Sequence, residues 1–252
     1  MSAIDAIRGF RMYRGRLDDR RLDDGHLQQI IDAARWAPSG HNSQPCEFLI
    51  VDDRAVIGQI AAIATRCFDE FLARSRELPQ WVANFHRWLR WSREDLERHG
   101  DGIWFERWTR EQWEELASLS DEAALRARLV AMFGSGGVPS KLIDTAPCLL
   151  FTLLDTTRRV PDFSGDMLAL TSAGAALQNL RLAAWEIGVA VHEQSPLYDL
   201  PETRQALSAL LGIPAHYRIV SGMRLGYRTK AVRASFTHVR RTVARILHRN
   251  GF

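Results

Sequence analysis

Apolar residues recur at helical spacing in three parts of the chain. Those between residues 27 and 34 lie three or four positions apart, directly after Asp23 and Asp24, so this stretch predicts a helix capped by one of the two aspartates. Residues 55–71 repeat the spacing and predict a second helix. Residues 167–187 are apolar or small on nearly every side. A helix without a polar face is buried on all sides, so this third helix is predicted to be central.

Shorter apolar runs predict strands at residues 48–51, 148–154, 189–191 and 217–225. The run at 148–154 is almost continuously apolar, which is typical of a central strand that is covered on both faces. Helices and strands therefore occur together, and the pattern indicates that residues 1–252 form a single domain that contains one insertion.

The composition changes between about residues 75 and 137. This stretch is helical in pattern, charged and rich in tryptophan, with Trp81, Trp88, Trp91, Trp104, Trp108 and Trp113. We interpret it as a helical insertion. Two roles stay open for its aromatic rings: a lid that sandwiches a planar substrate, or packing of the extra helices against the body or against a second subunit.

Composition and charge narrow the class of protein. A chain of 252 residues can bury a full core, and a net charge of +3 is ordinary for a soluble protein. No basic block with interleaved aromatics indicates nucleic acid, and no apolar run is long enough for a bilayer. Residues 1–14 lack the apolar core of a signal peptide. The three cysteines are widely spaced, which fits neither a disulfide framework nor a zinc site and favours a reducing cytoplasm.

The most informative stretch leads from the helix at 27–34 into the strand at 48–51. Pro38 ends the helix because it biases the preceding residue away from helical dihedrals. The positions that follow supply backbone amides and short polar side chains: Ser39, Gly40, Asn42, Ser43 and Gln44. Such a turn suits a flat polar heterocycle, to whose edge it offers donors and acceptors. The alternative is an ordinary helix-to-strand connection, in which these residue types are also common.

This turn, A-P-S-G-H-N-S-Q-P before an apolar strand, resembles the flavin-contacting turn of the nitroreductase family. These FMN-dependent oxidoreductases include iodotyrosine deiodinase and the flavin-destroying enzyme that makes dimethylbenzimidazole. Further landmarks follow in the family's order at residues 146–147, 178–184, 211–214 and 226–227. The resemblance implies an α+β fold with a mostly antiparallel sheet wrapped by helices. It also implies an intertwined homodimer with two FMN sites at the interface, and a lid in the two specialised branches.

The resemblance places cations for the FMN phosphate at both ends of the chain. Arg8 and Arg11 match two of the family's N-terminal cations, Gly9 stands at the family's serine, and Ile7 replaces a further arginine. Arg233 falls where the family has a phosphate-binding cation before the last helix. Forked guanidinium donors suit a phosphate dianion. A solvated basic terminus is the alternative for the N-terminal group.

The two faces of the flavin ring are implied by two other segments. Pro38, Ser39, Gly40, Asn42 and Gln44 would line one side of the ring. Glu193, Gln194 and Ser195 would meet its other side at the N5 and O4 edge, largely through backbone amides. Ser172 stands where some relatives have a polar residue that contacts the flavin.

Catalysis is implied to reside in the flavin itself, with NAD(P)H as reductant and a small organic substrate, aromatic or biosynthetic. His41 and Glu193 are the side-chain candidates for catalysis. The alternatives are a polar turn residue for His41 and a solvated loop carboxylate for Glu193. Cys46 replaces the family's usual tryptophan, which reshapes the site. Other possibilities are a deiodinase-like or flavin-destructase-like enzyme, an FMN-sequestering or regulatory protein without turnover, and a plain structural scaffold.

Overall fold

The computed structural model describes residues 2–74, 142–158, 160, 166–230 and 243–250, together with the single positions 115, 118, 119, 121, 124, 127, 128 and 131. The chain divides into two compact units, Met1–Phe68 with Gly136–Val232 and Asp69–Ser135 with Arg233–Phe252. Most of the predicted insertion at 75–137, including its six tryptophans, lies outside the described residues, as does Arg233. The first unit carries the sheet and all the other predicted site residues.

The described residues form α-helices at both ends of the chain and between the strands. They are α1 Ala3–Gly9, α2 Asp24–Arg35, α3 Arg54–Ala73, α4 Met167–Glu186, α5 Pro201–Leu210 and α6 Val243–Ile246. Side-chain caps explain where the first two begin. Ser2 and Asp5 form a reciprocal capping box at α1, and Asp23 accepts a hydrogen bond from the N–H of His26 at 3.1 Å at α2. Both caps satisfy N–H groups that have no partner inside the helix.

Four antiparallel strands form one sheet in the order β1-β2-β4-β3. The strands are β1 Cys46–Val51, β2 Cys148–Asp155, β3 Val189–Glu193 and β4 Tyr217–Tyr227. The predicted α+β fold with an antiparallel sheet is confirmed. The strands are longer than the apolar runs that predicted them, because β1 begins two residues earlier and β3 and β4 each end two residues later. Backbone pairing with a neighbour extends these strands past the residues that carry the apolar pattern.

The core lies on both faces of this sheet. On one face, α2 and α4 pack on β2, β3 and β4 through Ile30, Leu180, Leu150 and Met223 among others. On the other face, α3 and α5 contribute Ile57, Ile60 and Leu207, which pack with Phe151. All eight residues of β2 are buried, because its alternate side chains enter the two layers. The prediction of a central strand at 148–154 is therefore confirmed.

The helix α4 is only partly covered in the single chain. It was expected to be buried on all sides, but in the single chain only one face is buried, through residues such as Ala173, Ala176 and Leu180. The other face is open. Met167 is 65% exposed, Leu170 is 45% exposed, and a Cβ added at Gly174 would meet no atom within 4 Å. Nothing in this chain's described residues covers the face.

The described helices include none that combines the length and the apolar character needed to cross a membrane. The same residues contain no group of three or more His, Cys, Asp or Glu side chains that could hold a metal ion.

Candidate functional site

The turn between α2 and β1 has an unusual backbone. A single 3-10 turn, Gly40–Asn42, follows Pro38 and Ser39. His41, Asn42 and Gln44 adopt positive φ angles of 51°, 54° and 46°. Left-handed backbone at a non-glycine residue costs about 1 kcal/mol per position. Three such residues within four positions are maintained only because the surrounding contacts fix the turn, and turns of this kind are concentrated at binding sites.

Hydrogen bonds inside the turn supply part of that fixation. The Ser39 Oγ accepts a hydrogen bond from the Gln44 N–H at 3.0 Å, and Gln44 Nε2 donates to Asn42 Oδ1 at 3.2 Å. The turn also packs on the start of α4, since a Cβ added at Gly40 would lie 3.3 Å from Leu168 Cδ1. The predicted residues Pro38, Ser39, Gly40, Asn42 and Gln44 are thus brought together in one preorganised turn.

A partly enclosed cavity of about 170 Å³ lies beside this turn, between α2, β1 and α4. Pro38, Ser39, Gln44, Cys46 and Ser172 all line it. The structure therefore places the predicted Ser172 next to the turn, although its hydroxyl donates to the Leu168 carbonyl at 2.7 Å. Burial raises the pKa of the Cys46 thiol to about 11, so this thiol is neutral at pH 7 and a poor nucleophile.

Glu193 lies at the end of β3, and three donors hold its carboxylate. Arg181 on α4 pairs with Oε2, while the Tyr198 hydroxyl and the Ser221 hydroxyl donate to Oε1 at 2.8 and 3.1 Å. The side chains of Arg181 and Glu193 are only 17% and 21% exposed. Burial and the adjacent Glu193 raise the pKa of Tyr198. This geometry indicates that Glu193 anchors the end of β3, and a direct catalytic role for it stays a prediction.

The backbone groups of Gln194 and Ser195, which follow Glu193, differ in their hydrogen bonds. The N–H of Gln194 donates to the Gly222 carbonyl at 2.8 Å, and the residue is 4% exposed, so Gln194 binds the fold itself. Ser195 opens the 3-10 turn Ser195–Leu197, and its carbonyl accepts hydrogen bonds from Tyr198 and Asp199. The Ser195 N–H donates to no backbone or side-chain group among the described residues. It is therefore the backbone donor in this segment that a ligand could use.

The N-terminal residues run alongside β3. A Cβ at Gly9 would lie 3.4 Å from Trp185 near the end of α4, and the Tyr13 N–H donates to the Val191 carbonyl at 3.0 Å. Arg8 is exposed, whereas Arg11 Nη1 donates to the carbonyls of Arg8 and Phe10 at 2.6 and 2.7 Å. Arg8 is thus more accessible to an anion than Arg11.

The predicted site residues fall into two sets along α4. The turn set lies at the N-terminal end near Leu168 and Ser172. In the other set, Gly9 approaches Trp185, and Glu193 at the end of β3 pairs with Arg181. At 1.5 Å per helical residue, Trp185 lies about 20 Å and Arg181 about 14 Å from Ser172 along α4. One chain therefore keeps the two sets apart, and Arg233 lies outside the described residues.

Sequence reasoning missed Arg224, a fully buried residue of β4. Its Nε donates to His192 Nδ1 at 3.1 Å, and its Nη2 donates to the carbonyls of Tyr13 and Gly15 at 3.2 and 2.8 Å. Burial lowers its pKa to about 10, so it is still protonated at pH 7. The available signal was an arginine between two apolar residues, Met223 and Leu225, near the end of the predicted strand at 217–225.

Comparison with known proteins gives one family. The sequence profile of the nitroreductase family matches residues 7–227. No curated protein sequence matches the chain.

Solved structures show the same fold over nearly the whole chain. A BluB-like flavoprotein from Clostridium difficile 630 superposes with a TM-score of 0.61 at 20% identity, covering 98% of each chain. A protein of Desulfovibrio desulfuricans, named a nitroreductase and solved in complex with FMN, gives 0.53 at 20% identity and covers 99% of this chain and 96% of its own. A Parabacteroides distasonis ATCC 8503 protein, named an NADH dehydrogenase/NAD(P)H nitroreductase, gives 0.57 at 16% identity with 99% and 98% coverage.

Proposed function

Because the chain belongs to the nitroreductase family, we propose that it is an FMN-dependent oxidoreductase that acts on a small organic substrate, aromatic or biosynthetic. NAD(P)H is the proposed reductant. The FMN complex of the Desulfovibrio protein and the name of the Parabacteroides protein support these two ligands. The three cysteines, which are all free, support a reducing cytoplasm as the location.

The observation that carries the proposal is the separation of two complementary half-sites on one chain. The turn at 38–44 offers hydrogen-bonding groups beside a cavity. The N-terminal segment, which bonds β3 at Val191, offers the exposed cation Arg8. Because about 14–20 Å of α4 separates the turn from the second set, we infer that one flavin meets the two sets by binding between two chains.

The open face of α4 provides the surface for such a dimer. Met167 and Leu170 leave apolar side chains in solvent, and Gly174 leaves room for close approach of another helix. An apolar helix face of this kind is stable when a second element covers it. If the two copies of α4 pack antiparallel about a two-fold axis, the turn of one copy lies toward the N-terminal segment of the other. We therefore infer a homodimer with two sites.

The described residues fit an FMN molecule. Its phosphate is a dianion, for which the exposed guanidinium of Arg8 is a suitable donor, and Arg233 is the proposed second cation. Its ring has a polar edge, for which the uncommitted Ser195 N–H is a donor. The turn presents Ser39, Asn42 and Gln44 from the opposite side.

Each protein group has a defined task in this arrangement. When bound, FMN supplies the electron or hydride transfer itself. Arg8 holds the phosphate end, while Ser195 and the turn hold the ring so that its reactive edge keeps one orientation. Glu193, pinned by Arg181, Tyr198 and Ser221, fixes the backbone from which the Ser195 N–H projects. The neutral thiol of Cys46 is a poor nucleophile toward a ligand in the neighbouring cavity.

The test begins with the purified chain. We expect yellow protein with one FMN per subunit, which anaerobic NADPH or NADH bleaches and an organic acceptor reoxidises. An FMN-sequestering protein would stay yellow and inert. Oxygen-dependent loss of the flavin would indicate a flavin-destructase-like enzyme, an alternative with which the likeness to the BluB-like flavoprotein is compatible. Colourless protein that takes up no FMN would refute the proposal.

Arg8→Ala tests the phosphate end. We expect its dissociation constant for FMN to rise about tenfold, because a charge-assisted bond to the phosphate is lost. Flavin fluorescence titration measures this constant. The matched control is Arg16→Ala, since Arg16 is also exposed but pairs with Asp19 at 3.1 Å. Equal FMN affinity in both variants would remove Arg8 from the site.

A further inference from the structure

Arg224 occupies the interior of the sheet. It lies on β4, where its backbone pairs with Leu149 of β2 on one side and with His192 of β3 on the other. Its side chain is 0% exposed, and it is the only buried cation among the described residues. Burying a cation is costly unless a carboxylate and a full set of hydrogen bonds compensate it. This position therefore needs an explanation beyond packing.

Its hydrogen-bond partners belong to two separate segments. The Nε donates to His192 Nδ1, which also lies 2.8 Å from Gln194 Nε2. The Nη2 donates to the carbonyls of Tyr13 and Gly15. None of these bonded groups is a carboxylate, and Nη1 has no hydrogen-bond partner among the described residues. An apolar side chain would fill the same space at lower cost, but it could not join these segments.

The two segments that Arg224 joins are the two that face the cofactor in the proposed site. Tyr13 and Gly15 follow directly after the cations Arg8 and Arg11, and Tyr13 also pairs with Val191. His192 and Gln194 flank Glu193 and precede the Ser195 N–H. A rigid, planar guanidinium that bonds both segments at once fixes the distance between the phosphate end and the ring-edge end of the site.

We propose that Arg224 is a positioning residue for the cofactor. Its guanidinium holds the N-terminal phosphate-binding segment at a fixed distance from the end of β3. The inference rests on the proposed function, because it assigns Arg224 a role toward FMN. Arg224 does not touch the reacting atoms and acts only through the segments that do.

The experiment compares FMN with riboflavin, which lacks the phosphate. Dissociation constants for both ligands are measured by flavin fluorescence for the wild type, Arg224→Gln and Arg224→Lys, together with the thermal midpoint of each apoprotein. Arg54→Gln is the matched control. Arg54 also bonds two backbone carbonyls of a distant segment, Asp144 and Ala146, but neither carbonyl belongs to the N-terminal segment or to β3.

We expect the wild type to prefer FMN over riboflavin, and Arg224→Gln to reduce this preference about tenfold because the phosphate-binding segment loses its register. Arg224→Lys should recover part of the preference, since it keeps the charge but loses the fork. Arg54→Gln should lower the thermal midpoint and leave the preference unchanged. If Arg224→Gln does not fold, a reduced preference in Arg224→Lys supports the proposal in its place.

An unchanged preference in a folded Arg224 variant, with both flavins weakened equally, would show a merely structural role and overturn the inference. That result would leave the proposed function intact, because the wild type would still bind FMN. If the wild type binds neither flavin, the proposed function itself is refuted and the inference with it.

Discussion

Strain and burial at single residues shape the site most directly. His41, Asn42 and Gln44 keep left-handed backbone in the turn after α2, although none of them is glycine. The composition of the turn predicted a binding segment, but the positive φ angles depend on its packing against Leu168 and on the hydrogen bond between Ser39 and Gln44. Such strain lowers stability and fixes the direction of polar groups, which is the balance expected at a binding site.

Replacing His41 by glycine should release strain. We expect His41→Gly to raise the free energy of unfolding by about 1 kcal/mol, because glycine adopts a φ of 51° without steric cost. Urea unfolding of the apoprotein measures this. Ser43→Gly is the control: Ser43 has an ordinary helical φ of −65°, so glycine there should lower stability. A loss of stability in His41→Gly would mean that the imidazole makes stabilising contacts.

The buried thiol of Cys148 predicts a pH dependence. Burial, with a smaller contribution from Asp52, raises its pKa to about 12, above the value of about 8.5 in an unfolded chain. Above pH 8.5 the unfolded chain releases the proton while the folded chain retains it, so this stability is complete below pH 8.5 and is lost as the pH rises toward 12. Between pH 8 and pH 11 we expect the wild type to lose about 2–4 kcal/mol more than Cys148→Ala. An equal loss of unfolding free energy in the two proteins over this pH range would contradict the prediction.

At the scale of elements, apolar periodicity located the strands and the long helices, and local capping residues set where α1 and α2 begin. The central strand β2 was predicted from its apolar run alone. The sequence pattern does not show whether the one hydroxyl of β2, on Thr152, has a hydrogen-bond partner. Thr152 lies at an irregularity in the pairing of β2 with β4, and its buried Oγ1 has no hydrogen-bond partner among the described residues.

Removing this hydroxyl should increase the stability of the fold. We expect Thr152→Val to raise the free energy of unfolding by about 1 kcal/mol, because valine has the same shape and removes an unsatisfied polar group. Denaturant unfolding gives the difference. Thr157→Val is the matched control and should lower stability, since the Thr157 hydroxyl donates to Asp155 Oδ1 at 2.6 Å. Destabilisation by Thr152→Val would show that the hydroxyl has a partner, such as an ordered water molecule.

At the scale of the whole molecule, the proposed dimer reconciles the sequence of α4 with its surroundings. The sequence predicts a helix buried on all sides, whereas the single chain buries one face. A second copy on the open face would complete the burial and bring the two half-sites together. Both requirements are then met by one contact, which is why we assign the interface to this helix.

Replacing Gly174 by a larger residue tests the proposed dimer interface. A Cβ there meets nothing within 4 Å in the single chain, and leucine is a better helix former than glycine by about 1 kcal/mol. We expect Gly174→Leu to fold, to elute as a monomer in size-exclusion chromatography with light scattering, and to lose bound flavin. Gln205→Leu, on the exposed face of α5, should stay dimeric and yellow. A dimeric, flavin-loaded Gly174→Leu would remove this face from the interface.

The sequence by itself determined the local elements, since periodicity, caps and Pro38 act over a few residues, and it determined the composition of the ligand turn. It also carried enough of the family's motifs to predict the fold. Only the tertiary structure decided which predicted residues lie together, because the turn, the N-terminal segment and the end of β3 contact α4 at different points along its length. Only the tertiary structure showed Arg224, whose carbonyl partners Tyr13 and Gly15 are 211 and 209 residues away in sequence. A buried charge depends on such distant groups, and no local pattern records them.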